Sequence, residues 1–217
     1  MRMRKKPWAR PELEKCDYFL KEPTINRGKW KDAFSNDAPI HLELGCGKGN
    51  FISQIAFRNQ NINYIAIDLK DDMLGYARRK TEESFNGKPI RNLILLAYDI
   101  ERIDDIFSED DKIDRIYINF CNPWPRPKHR KRRLTHTRQL EKYKIFLKQG
   151  GEIHFKTDDD ELYKDTITYL KEANFEIVYK TEDLSKNNDA ENIVTEHEEM
   201  FMENGIKIKK IIARLMF

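Results

Sequence analysis

From residue 39 onward, short uninterrupted apolar runs alternate with longer stretches whose apolar residues recur at helical spacing. PIHLELG, NYIAIDL, NLILLAYD, DRIYINFC and GEIHFKTD have strand length and a β-branched, aromatic composition. They lack the polar alternation of half-exposed strands, so they predict parallel strands buried on both faces. Between them, Phe51, Ile52, Ile55 and Ala56 keep one helical face. So do Leu140, Tyr143 and Leu147, with Gly150 and Gly151 predicted to end that helix. Leu162, Thr166, Tyr169, Leu170 and Ala173 trace a further stripe, with Asp158 or Asp159 as its N-cap and Glu161 completing a capping-box spacing. This alternation predicts a doubly wound α/β sheet with right-handed crossovers and a ligand crevice beyond the carboxyl ends of its strands. After residue 174, FEIVYKTED and KIKKIIARLMF read as a C-terminal antiparallel pair, bringing the mostly parallel sheet to about seven strands. Residues 1–38 carry Pro7, Pro11 and Pro23 without sustained periodicity. They read as a basic N-terminal arm that is mobile or orders on binding, leaving 39–217 as a single domain.

The length of 217 residues suits one core. A charged fraction of 35% and a mean hydropathy of -0.79 leave a very polar exterior. No apolar run approaches the roughly 18 residues of a spanning helix, and the start MRMRKKPWARPELEK offers no secretory apolar stretch. The expected location is the cytoplasm. Cys16, Cys46 and Cys121 are odd in number and lack ligand spacing, so neither a disulfide framework nor a metal site is expected.

The net charge of +3 is unevenly spread. Arg2, Arg4, Lys5, Lys6 and Arg10 crowd the N-terminus. Arg126, Lys128, Arg130, Lys131, Arg132 and Arg133 form a second block with no intervening acid, a pattern suited to a polyanion. Acids gather elsewhere, over 158–161 and 182–203.

The first strand runs into ELGCGKGN, with Gly45, Gly47 and Gly49 in a tight turn before a helix. A dinucleotide fingerprint requires its third Gly where Asn50 stands. Acids fall at successive strand ends, at Glu43, Asp68 and Asp99. A carboxylate at the second of these can accept both hydroxyls of a ribose. S-adenosylmethionine carries a sulfonium and an ammonium but no phosphate, so acids around the turn suit it better than a pyrophosphate cofactor. The fourth strand ends in NFCNPWPRPKHRKRRLT, where Pro123, Pro125 and Pro127 stiffen the loop. Trp124 offers a stacking face, and the cations after it can grip a nucleic-acid backbone.

MRMRKKPW, ELGCGKGNF, NPWPRPKHRKRRLT, HFKTD and NIVTEHEE together resemble, in order and over nearly the whole chain, the bacterial tRNA (guanine-N7-)-methyltransferases. The resemblance implies a Rossmann-like class I methyltransferase fold and methylation of a variable-loop guanosine of tRNA. It implies that Glu43, Asp68, Asp99 and Asn122 contact the cofactor, and that Arg126, Asp158, Thr195, Glu196, His197 and Glu198 contact the substrate. Lys128, Arg130, Lys131, Arg132 and Arg133 are expected along the tRNA backbone, and the chain as a monomer or homodimer. The family usually has Asp at Asn122, Lys at Arg126 and Tyr at His197. The first departure bears on mechanism. Guanine N7 carries an in-plane lone pair and no hydrogen, so transfer needs alignment rather than a base. Asn122 is therefore read as a positioning residue, with Asp158 or Glu198 accepting from the guanine N1–H and amino group.

Two other functions fit parts of the chain. NPWP is similar to the Asn-Pro-Pro-aromatic loop of enzymes that methylate the exocyclic amine of adenine or cytosine, although Trp124 displaces the second Pro. A non-catalytic tRNA-binding protein on a methyltransferase fold would have no need of the intact glycine turn and its acids. Cys121 lacks the Pro-Cys pairing of a covalent cytosine methyltransferase. His41 and His154 lie in predicted strands and read as satisfied side chains.

Overall fold

The apolar runs become the centre of one sheet because both of their faces are covered. A computed structural model describes residues 5–186 and 192–216. In it every residue of β2 (Ile40–Leu44) is buried. β3 (Asn63–Asp68), β4 (Leu93–Ala97), β5 (Ile113–Asn119) and β6 (Leu147–Thr157) follow in chain order, and β1 (Phe19–Leu20) precedes them. β7 (Phe175–Thr181) and β8 (Lys209–Leu215) complete an eight-stranded sheet of order β1-β4-β3-β2-β5-β6-β8-β7. Pairings from β1 through β6 are parallel, while β8 runs antiparallel to both β6 and β7. The predicted architecture is thus present, enlarged by a two-residue edge strand.

One apolar cluster joins Phe51, Ile52, Ile55, Leu74, Ala77 and Phe85, from α2 (Asn50–Arg58) and α3 (Asp71–Phe85), to the sheet. The other joins Leu140, Tyr143, Phe146, Leu162 and Leu170, from α4 (Thr137–Phe146) and α5 (Asp160–Glu172). Helices on both faces make the sheet doubly wound. The chain order reverses between β2 and β5, so the crevice above their carboxyl ends is the switch point at which such folds bind ligands.

Three local expectations are corrected. Leu147 does not continue α4: it takes an extended conformation as that helix's C-cap and opens β6. The cap of α5 is Asp159, whose Oδ1 accepts from Leu162 N at 2.6 Å, so Glu161 completes no capping box. Residues 5–38 do not stand apart as an arm. Ala9 and Leu13 of α1 (Ala9–Leu13) are buried, and Gly75 of α3 admits that contact, since a Cβ there would lie 2.8 Å from Ala9 Cβ. Trp30 is fully buried and donates from Nε1 to Ile106 O at 2.7 Å. Pro23 starts one of two short 3-10 turns in this stretch, and turns this short leave no period to read. Arg2 and Arg4 lie outside the described residues. No helix among the described residues is long and apolar enough to cross a membrane.

Candidate active site

The turn after β2 is closed by two backbone bonds, from Gly45 N and Cys46 N to Ile67 O, both 2.9 Å. Gly49 caps α2 at φ 79°, and a Cβ there would lie 2.6 Å from Ala77 Cα, so only glycine lets the turn seat α2 against α3. Asp68, at the end of β3, accepts from Gly47 N at 3.0 Å and Lys70 N at 2.9 Å. Burial pushes its carboxyl upward against those bonds. Glu43 is buried on β2 and accepts from Asn119 Nδ2 at 3.2 Å through Oε1, while its Oε2 is buried with no hydrogen-bond partner among the described residues. Desolvation pushes the Glu43 carboxyl up to about 7. These groups share a cavity of about 790 Å³ whose lining also includes Met73, Asn122, Trp124 and Thr195. A cavity lined by two carboxylates, one of them with an oxygen that has no donor among the described residues, is suited to a cation.

The loop from Phe120 to Arg126 forms the opposite wall. Asn122 Oδ1 accepts from Trp124 N at 3.0 Å, and Trp124 turns back at φ 43°. The Trp124 ring is half-buried, with the Arg132 guanidinium 5.3 Å from its centroid. Burial pushes the Cys121 thiol up to about 12, and it raises Cys46 as well, which leaves neither as a thiolate nucleophile. Beyond the loop, Lys156 of β6 and Glu198 of α6 (Glu196–Glu203) form a buried ion pair at 2.7 Å. Lys156 Nζ also donates to Asn192 Oδ1 and Ile193 O, and Thr195 and Glu198 close a capping box.

The chain is 58% identical to the curated tRNA (guanine-N(7)-)-methyltransferase of Clostridium perfringens (strain 13 / Type A) over 217 residues, 99% of each chain. It is equally 58% identical to that of Clostridium botulinum (strain Eklund 17B / Type B), over 98% of each. Residues 37–211 match the family model Methyltransf_4, described as "Putative methyltransferase". The chain belongs to the tRNA (guanine-N7-)-methyltransferase family. The crystal structure of the 16S rRNA methyltransferase KamB shares the fold at a TM-score of 0.62 and 11% identity, covering 87% of this chain and 93% of that one.

In this member of the tRNA (guanine-N7-)-methyltransferase family, Glu43, Gly45, Gly47, Asp68, Asn122 and Thr195 meet at one cavity. Asp99 is not in its lining: it is exposed, and its Oδ1 caps a 3-10 turn by accepting from Glu101 N at 2.9 Å. Glu198 is a poor fit to the guanine-acceptor role, because its carboxylate is buried and held by Lys156 and Asn192. Asp158, not required as a cap, is half-buried beside β8, its carbonyl accepting from Lys209 Nζ at 2.8 Å. The side chains of Glu196 and His197 lie outside the described residues. Within the basic block, Arg126, Lys128, Lys131 and Arg132 are exposed, Arg132 lying 3.6 Å from Glu101, and Arg130 pairs with Glu161. Arg133 is wholly buried and cannot lie along a nucleic-acid backbone in this structure.

His41 and His154 are satisfied by Tyr117 and Glu152, at 3.3 and 2.9 Å. Among the described residues no cluster could hold a metal. Sequence pattern alone does not single out Asn119 or Lys156. Lys156 did carry a signal, since a lysine inside a strand buried on both faces demands a carboxylate partner.

Proposed function

We propose that the protein methylates N7 of a variable-loop guanine in tRNA, with S-adenosylmethionine as donor. When bound, that cofactor supplies a methyl group on a positively charged sulfur. The observation that carries the reading is that the strand-end carboxylates Glu43 and Asp68 line one cavity with the glycine turn and the Trp124 loop, Glu43 Oε2 having no hydrogen-bond partner among the described residues. Glu43 and Asp68 supply acceptors suited to ammonium and hydroxyl donors, and Gly47 leaves the backbone open to close approach, with nothing within 4 Å of where its Cβ would be. This donor set fits the cofactor.

Trp124 provides the stacking face for a purine, and Arg132 over its ring extends that surface toward phosphate. The target nitrogen holds no proton, so no residue is needed as a base and Asn122 serves as well as a carboxylate. Asn122 shapes the loop by accepting from Trp124 N. Asp158 is the better acceptor for the guanine N1–H and amino group, because Glu198 is occupied. The nearby carboxylates stabilise the positive charge that develops on the purine. Exposed Lys128, Lys131 and Arg132 supply sequence-independent affinity for the tRNA backbone.

Exocyclic-amine methylation is disfavoured because Trp124 stands where the loop of those enzymes has its second Pro, and because the 58% identical relatives are curated as tRNA (guanine-N(7)-)-methyltransferases. Incubation with methyl-labelled donor and unmodified tRNA, followed by nucleoside analysis, tests the proposal. It expects 7-methylguanosine, and a methylated exocyclic amine would refute it.

A further inference from the structure

Arg133 is the last cation of the basic block, yet its side chain is 0% exposed while the Glu161 and Asp165 side chains beside it are 48% and 28% exposed. Its donors serve two different elements. Nε donates to Pro123 O at 2.6 Å, inside the Trp124 loop. Nη1 donates to Asp165 and lies 3.5 Å from Tyr169 Oη, and Nη2 donates to Glu161 at 3.2 Å. All three of these partners lie on α5, which is packed into the core by Leu162 and Leu170. Pro123 sits between the two cavity-lining residues Asn122 and Trp124. Trp124 holds a left-handed backbone at φ 43° and Phe120 another at φ 51°, conformations that bulky residues adopt only under constraint.

We propose that Arg133 is a positioning residue: it bolts the Trp124 loop to α5 and thereby sets the wall of the cavity, and it makes no contact with RNA phosphate. The proposal rests on the methyltransferase reading only for its effect on rate. Its structural content stands separately. The planar fork of the guanidinium spans loop carbonyl and helix carboxylates at once, which a lysine ammonium cannot do with the same geometry. Arg132, one residue earlier, is 53% exposed and is the natural contrast. Neighbouring arginines in one run thus have different tasks, which charge counting cannot separate.

The test compares Arg133→Met, Arg133→Lys and Arg132→Gln in the full-length protein. The salt dependence of tRNA binding is measured first. Arg132→Gln is expected to lower the slope of log K against log salt by about one, and Arg133→Met to leave it unchanged. Hydrogen exchange at the Cys121, Asn122 and Trp124 amides should accelerate in Arg133→Met and not in Arg132→Gln. At saturating tRNA and cofactor, the single-turnover methyl-transfer rate of Arg133→Met should fall about 100-fold, as misplacement of aligned groups does, with partial recovery in Arg133→Lys. If Arg133→Met does not fold, Asp165→Asn, which loosens the same clamp from the helix side, is held to the same three outcomes. A slope reduced by about one, with loop exchange unaltered, would make Arg133 a phosphate contact and overturn the proposal. If the wild-type protein methylates no guanine N7, the functional reading falls while slope and exchange still decide the role of Arg133.

Discussion

Replacing Glu43 by Gln should make the cofactor-free protein more stable at alkaline pH while weakening its cofactor binding. The carboxyl lies wholly inside the fold with one oxygen unpartnered among the described residues, and desolvation raises it from 4.5 to about 7. Holding it ionised in the folded state therefore costs about 3 kcal/mol. The sign follows from linkage: a carboxyl with a raised folded value binds its proton more tightly in the folded chain, so stability is lost as pH climbs from 4.5 through about 7. Gln has no such dependence and can keep the acceptor role toward Asn119. Any fixed packing cost of the substitution cancels when two pH values are compared. The advantage of Glu43→Gln over wild type should grow by about 2–3 kcal/mol between roughly pH 5 and pH 8. That is about 5–10 °C in melting temperature for a chain of this size. Urea unfolding of both proteins at the two pH values measures it, and S-adenosylmethionine at saturation should stabilise the wild type more than Glu43→Gln and so narrow the gap. A stability gap that does not change with pH would refute the reasoning.

Asn122→Asp should keep the single-turnover rate within about tenfold, because either side chain can accept from Trp124 N and no base is needed; a larger loss in rapid-quench assays would mean that the amide itself matters. Neutralising Lys128, Lys131 and Arg132 together should flatten the salt slope of tRNA binding by about 2–3, read by filter binding across a salt series. Glu198→Gln should destabilise the fold by about 3–5 kcal/mol in denaturant titrations, since it strands the buried Lys156 ammonium; a change under about 1 kcal/mol would show that the pair is not buried in solution.

Much of the architecture could be read in advance because strands buried on both faces announce themselves as unbroken apolar runs, and the glycine turn marks the switch point without any need of tertiary information. The crevice acids were found for the same reason, as polar residues ending apolar runs. Asp99 shares that pattern but caps a local turn, which shows that strand-end position alone does not aim a side chain. The stretch around Trp30 was missed because its burial depends on partners far along the chain, Ile106 and Asp111. The basic block is uniform as sequence and divided as structure: Lys131 stays in solvent, Arg132 lies over the Trp124 ring near Glu101, and α5 takes Arg133. Glu198 stands in a motif that suggests a ligand group, and only the fold brings Lys156 from β6 against it.

N7 methylation is tested most directly by the identity of the modified nucleoside after the purified protein, labelled S-adenosylmethionine and unmodified tRNA are incubated and the RNA is digested. Label is expected in 7-methylguanosine from the variable loop. Label on an exocyclic amine, or no transfer by protein that binds both cofactor and tRNA, would contradict it.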